Sequence, residues 1–266
     1  MATPRLEFRA VTKRFGNRNA ADGQDPVITA VEEVSLALAD GEVVSLIGPS
    51  GCGKSTLLNL GSGLDRPNEG AVLVDGEQVD GPNSHVAFML QKDLLLPWRT
   101  IRDNVELGQE IQGVAKENRR AIALGLIDKY HLGEFANAYP HQLSGGMRQR
   151  AALARTMAMD PDVLLLDEPF SALDAQTKMV LQTDLARTLK DEGKTAFLIT
   201  HDLVEAVALS DRVLVMSARP GRIIEEITVD MPEREKPIAR RSHAKMPDYI
   251  ARLMNLLHIG DDLEAA

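Results

Sequence analysis

A lysine, three hydroxyls and three glycines crowd the nine-residue segment Gly48-Pro-Ser-Gly-Cys-Gly-Lys-Ser-Thr56. The spacing matches the phosphate-loop pattern, in which glycines let backbone N–H groups wrap a polyphosphate and a lysine meets it from the side. On that pattern Gly48, Pro49, Ser50, Gly51, Cys52, Gly53, Lys54, Ser55 and Thr56 form the cradle. Lys54 reaches the β and γ phosphates, and the Ser55 hydroxyl ligates magnesium. The implied ligand is ATP with Mg2+. An accidental glycine-rich turn is the alternative, but it does not explain the apolar run Val43-Val44-Ser45-Leu46-Ile47 before the loop or Leu57, Leu58 and Leu60 at helical spacing after it. Strand, loop and helix are the context that the pattern requires, with the helix dipole turned toward the anion.

A second group of chemical residues ends the run Val163-Leu-Leu-Leu-Asp167-Glu168-Pro169. Four apolar residues deliver two carboxylates to a strand terminus. Asp167 suits a magnesium ligand, and Glu168 suits a base that orients and deprotonates an attacking water. Seen alone this is an ordinary acidic turn; downstream of a phosphate loop it reads as the other half of a hydrolytic site. A third segment, Leu143-Ser-Gly-Gly-Met-Arg-Gln-Arg150, opens a helix with a hydroxyl and two glycines. It is a second anion-suited helix start, more than one nucleotide needs from one chain.

With these three segments in this order, the chain resembles the nucleotide-binding subunits of ABC transporters over nearly its whole length. The resemblance implies a P-loop NTPase core of the α/β class, with a mainly parallel sheet, an antiparallel β subdomain and an inserted α-helical subdomain. It implies a head-to-tail dimer in which Ser144, Gly145 and Gly146 of one copy close over the γ-phosphate held by the other. Gln91 is similar to the glutamine that senses magnesium and water, and with Ser55 and Asp167 it makes the implied metal set. Asp174, in Ser171-Ala-Leu-Asp174, is similar to the residue linking the two sites across the dimer. His201 is similar to the γ-phosphate histidine, which with Glu168, Gln91 and Lys54 completes the catalytic set. Phe15 stands where an aromatic side chain, more often tyrosine, stacks on adenine; core packing is its alternative role.

The elements that must position these residues are legible in the periodicity. Leu6 to Val11 and Val31 to Leu38 alternate as half-buried strands, with a Gly/Asn/Asp-rich loop from Gly16 to Pro26 between them. Ala71 to Val74 and Val86 to Leu90 add short strands. From Ile101 to about His141 the spacing turns helical, with Ala123, Leu126, Ile127 and Tyr130 on one face. Val163 to Leu166 and Ala196 to Ile199 are continuous apolar runs of the kind two-sided parallel strands need. Arg212 to Met216 is a further strand, and a helix is expected from Asp248 to Leu257. The chain is thus read as one domain, 1–266: an α/β core with its β subdomain over 1–91 and 142–216, a helical subdomain over 92–141, and a C-terminal extension over 217–266 whose Arg240-Arg241 pair reads as solvated surface.

A net charge of -9 argues against a dedicated nucleic-acid binder. The single cysteine, Cys52, forms no internal disulfide and reads as a small filler in the loop. Charges occupy the N-terminal stretch where a signal peptide has its apolar run, and no segment approaches the roughly 20 apolar residues that span a bilayer. The expected location is the cytoplasmic face of the cell membrane, held there by partners. Lys92-Asp-Leu-Leu-Leu-Pro-Trp98 supplies an apolar cluster with the only tryptophan. It suits a groove for a helix of an integral-membrane permease; packing of the hinge between core and insertion is the alternative, and both are compatible with the leucines inward and Trp98 partly outward. Leu95 to Val105 and Arg219-Pro-Gly-Arg222 are similar to the importer ATPases for nitrate, sulfonate, taurine and related solutes, although Met89-Leu90 departs from their usual valine-phenylalanine pair. That resemblance implies permease subunits and an external solute-binding protein as partners. A soluble ABC-type ATPase of DNA repair or translation is the alternative, weakened by the acidic charge and by the lack of a long coiled-coil insertion or second phosphate loop. A small-molecule kinase is opposed by the Leu-Ser-Gly-Gly segment.

Overall fold

The computed structural model describes residues 3–16 and 27–259. Most of the loop expected from Gly16 to Pro26, residues 17–26, lies outside the described residues. In chain order the elements begin with β1 (Leu6–Gly16), β2 (Val27–Leu38), β3 (Val43–Ile47), α1 (Lys54–Gly61), β4 (Glu69–Val74), β5 (Glu77–Gln78) and β6 (Val86–Met89). Helices α2 (Ile101–Val105), α3 (Leu107–Ile111), α4 (Lys116–Lys129) and α5 (Gly145–Met157) follow. The chain then alternates through β7 (Val163–Asp167), α6 (Ala175–Asp191), β8 (Thr195–Ile199), α7 (Leu203–Leu209), β9 (Arg212–Met216) and β10 (Ile223–Thr228), and closes with α8 (Pro237–Arg241) and α9 (Met246–Leu256).

Two sheets result. An antiparallel sheet runs β2-β1-β4-β5, and a six-stranded sheet runs β10-β9-β3-β8-β7-β6, parallel except where β10 pairs with β9. The parallel strands are apolar on both faces because both are covered. Leu164 and Leu166 of β7 pack into a cluster with α2, α4, α5 and α6, while Val163 and Leu165, pointing the other way, join α1 and the antiparallel sheet. Each such fully buried leucine or valine contributes roughly 1.5–3 kcal/mol relative to exposure. Ala123, Ile127 and Tyr130 bury against the first cluster as their spacing predicts. Side-chain oxygens set the helix starts: Thr100, Ser144, Asp174 and Asp202 accept from the N–H three residues on, at α2, α5, α6 and α7.

The tail corrects the sequence reading. Residues 217–228 are not an appendage, because β10 forms an edge of the six-stranded sheet with Glu226 opposite Leu214 and Ile227 opposite Val213. Its Glu225-Glu226 pair hides the strand from periodicity, and an edge strand tolerates such charges because one side meets water. Arg240 is no solvated cation either. It is 4% exposed and donates to the carbonyls of Pro232, Ser210 and Met231, while Arg241 donates to Gln182 at 2.7 Å. Burial holds the Arg240 guanidinium below its ordinary pKa. The leucine cluster divides as well: Leu95 is buried, whereas Leu94 (φ 44°) is exposed, as is Trp98.

Candidate functional site

Strands β3, β8, β7 and β6 lie side by side and parallel, so their C-terminal ends meet at one edge of the sheet. That edge is where open α/β sheets bind ligands. From β3 the chain enters the 48–56 loop and then α1. Gly53 has φ 108°, and a Cβ there would lie 2.5 Å from Val31 Cγ1, so both conformation and space demand glycine. The start of α1 has no side-chain cap and no acidic residue in its first turn, which leaves its leading N–H groups to an anion. Lys54 Nζ donates to the carbonyls of Gly48 (2.7 Å) and Pro49 (2.9 Å). Cys52 is buried and packs among apolar neighbours, the filler expected of it.

From β7 come the two carboxylates. Ser55 Oγ donates to Asp167 Oδ2 at 2.8 Å, joining the loop to the strand end. Burial raises the Asp167 pKa first of all, the Ser55 hydrogen bond lowers it, and repulsion from Glu168 raises it. A buried carboxylate beside a hydroxyl, with Gln91 on the same wall, is a hard oxygen set that fits a small divalent cation. Glu168 adopts φ 48° and donates its N–H to Ile199 of β8. Its carboxylate is shared: Gln91 Nε2 donates to Oε2 at 2.9 Å, and His201 Nδ1 lies 3.3 Å from Oε1. Gln91 follows β6 and His201 follows β8, so three neighbouring strands bring together residues far apart in the chain. A carboxylate held from two sides and open to a cavity can orient a water and take its proton.

The cavity at this edge has a volume of about 460 Å³. Phe15, Ile28 and Ala30 of the antiparallel sheet line one part, and the 50–56 loop, Gln91, Asp167 and Glu168 line another. Phe15 is 43% exposed, opposite Ile28 in register and with Lys13 Nζ 5.2 Å from its ring centroid, so it is not a core phenylalanine. Ser144, Gly145, Gly146 and Asp174 do not line this cavity. Ser144 and Asp174 instead cap α5 and α6, and Gly145 borders a second cavity shared with Gln91, Asp93 and Gln149. A backbone N–H of Thr177 is the main cause that lowers the Asp174 pKa.

Two residues escaped the sequence reading. Gln149, inside the quoted Leu143–Arg150 segment, is 4% exposed; its Nε2 donates to the Glu168 carbonyl (3.1 Å) and its Oε1 accepts from the Ala172 N–H (3.0 Å). It therefore clamps the 168–172 turn. The signal was an amide on the inner face of an apolar helix. Gln149→Leu leaves the Ala172 N–H without its partner, at a cost of about 1–3 kcal/mol, while the Glu168 carbonyl keeps the N–H and hydroxyl of Ser171; the expected result is a lowered denaturant midpoint, and an unchanged midpoint would contradict the clamp. The second is Arg219, which lines the cavity and donates to the Gly51 carbonyl.

Comparison with known proteins agrees with this geometry. Residues 31–171 match the ABC transporter family pattern. An uncharacterized ABC transporter ATP-binding protein of Methanocaldococcus jannaschii is 44% identical over 95% of this chain and 91% of its own length. The taurine import ATP-binding protein TauB of Yersinia pestis is 42% identical over 86% of this chain and 90% of its own. Among solved structures, the dimeric ATP-binding cassette MJ0796 bound to ADP and Pi superposes with a TM-score of 0.76 at 32% identity, covering 85% of this chain and 99% of that one. The parallel sheet edge, its phosphate loop and these relatives lead to one assignment: the chain belongs to the ABC transporter family, as an ATP-binding, ATP-hydrolysing subunit.

Proposed function

We propose that this subunit powers uptake of a small solute of the nitrate, sulfonate or taurine type through a membrane permease, from the cytoplasmic face of the cell membrane. The observation that carries the import reading is the 42% identity to a protein named for taurine import across 86% of the chain. The exposed Leu94 and Trp98, which follow Gln91 in the chain, supply apolar side chains suited to a permease helix. An external solute-binding protein completes the system.

In this reading Phe15 stacks on adenine, the 48–56 loop holds the phosphates, and Lys54 meets the β and γ phosphates. Ser55, Asp167 and Gln91 hold Mg2+, which when bound neutralises charge on the phosphate oxygens. Glu168 is the base for the attacking water, and His201 orients the γ-phosphate. Ser144, Gly145 and Gly146, outside the cavity of their own chain, serve the cavity of a second copy, with Asp174 linking the two sites. Uptake of labelled nitrate, taurine and an alkanesulfonate by cells lacking this chain tests the proposal. Loss of one of the three uptakes, restored by the wild-type chain, is expected; normal uptake of all three would sink it.

A further inference from the structure

The segment that follows β9 folds back over the phosphate loop. Gly221 donates its N–H to Ala30 and accepts from the Glu32 N–H, both at 3.0 Å, so it pairs with β2. A Cβ at Gly221 would lie 2.0 Å from the Cys52 carbonyl oxygen, so the segment is wedged against the loop itself. This wedge holds Arg219 at the cavity wall, where Nη2 and Nε donate to the Gly51 carbonyl at 2.9 and 3.2 Å. A guanidinium carries five N–H donors, and one carbonyl engages only part of that set. Arg219 makes no ion pair among the described residues, whereas Arg222, on the same segment, is neutralised by Glu32 at 2.6 Å.

The charge of the cavity wall sharpens the point. Its other ionised side chains are Lys54, Asp167 and Glu168, so without Arg219 the carboxylates outnumber the cations. A polyphosphate entering such a wall meets repulsion that a second cation offsets, and guanidinium matches phosphate oxygens in geometry as well as charge. We propose that Arg219 is a nucleotide-binding residue whose guanidinium contacts the phosphate chain of ATP from the Gly51 side of the loop.

The inference rests on the cavity being the ATP site, and titration with MgATP, read by displacement of a fluorescent ATP analogue, separates the two. Arg219→Ala is expected to weaken MgATP binding about tenfold. Arg219→Gln, which keeps a donor for Gly51 without the charge, should weaken it as much, and Arg219→Lys should recover most of the affinity. Arg222→Ala should stay within about twofold of wild type, since its charge is already paired. Wild-type affinity in Arg219→Gln would overturn the proposal by reducing the contact to a neutral strut. It also fails if Arg219→Ala binds MgATP normally, including the case where only pairing of two chains is lost. Absence of MgATP binding in the wild-type chain would instead refute the ATP site.

Discussion

Glu168→Gln is expected to bind MgATP within a few-fold of wild type while its turnover falls by about 10²–10⁴, the range supplied by a positioned general base. The substitution preserves shape: the amide oxygen can still accept from Gln91 Nε2, now 2.9 Å from Glu168 Oε2. It also removes one of two adjacent carboxylates. Asp167 is held above its ordinary pKa mainly by burial, with Glu168 adding repulsion, so losing that charge relieves Asp167 and leaves the fold intact. What disappears is the capacity to take a proton from water. If the second-copy assignment of Ser144 holds, unhydrolysed ATP then locks two chains together. A species of twice the mass should elute in MgATP and not in MgADP. Turnover within a factor of two of wild type would remove Glu168 from the base role, and a stalled enzyme that stays monomeric in MgATP would remove Ser144 from the in-trans role.

Lys54→Ala is expected to lose MgATP affinity by about ten- to a hundredfold, because charge-assisted hydrogen bonds to phosphate are worth roughly 1.5–3 kcal/mol. The structure indicates why the loss should appear in binding and not in folding. Lys54 Nζ donates to two neutral carbonyls, Gly48 and Pro49, and although its charge also favours the Asp167 carboxylate, that is the smallest of the causes acting there and Asp167 keeps its hydrogen bond from Ser55. The measurement is calorimetric titration alongside thermal unfolding: affinity drops while the melting temperature stays close to wild type. Normal affinity would contradict the assignment of Lys54 to the phosphates.

The features read correctly from sequence share a physical basis. The 48–56 loop lies between a buried strand and a helix, and its glycine positions answer a local backbone requirement, as Gly53 shows with φ 108° against Val31. Continuous apolar runs such as Val163 to Leu166 advertise strands covered on both faces, and both faces are covered. Where reading failed, the deciding contact was remote. Strand β10 was missed because Glu225 and Glu226 interrupt its apolar pattern, and only pairing with β9 makes it a strand. Arg240 looked like surface because its acceptors, among them Ser210, come from elsewhere in the chain. Gln149 lay inside a quoted motif, yet its partners Glu168 and Ala172 become visible only when α5 packs beside the end of β7.

The amino-acid sequence by itself determined the chemical inventory: a phosphate loop, a carboxylate pair at a strand end, a second glycine-rich helix start, and the family that combines them. Spacing within a few residues dictates backbone conformation, so those features need no distant contact to be recognised. The tertiary structure alone decided how the members that the resemblance grouped come into contact. It set β6, β7 and β8 side by side, so that Gln91 and His201 both reach Glu168, and it left Ser144 outside the cavity of its own chain. It also carried Arg219, 168 residues after Gly51, back onto the phosphate loop. Such neighbours are chosen by the burial of whole faces, a property of the assembled sheet and helices that no short segment carries.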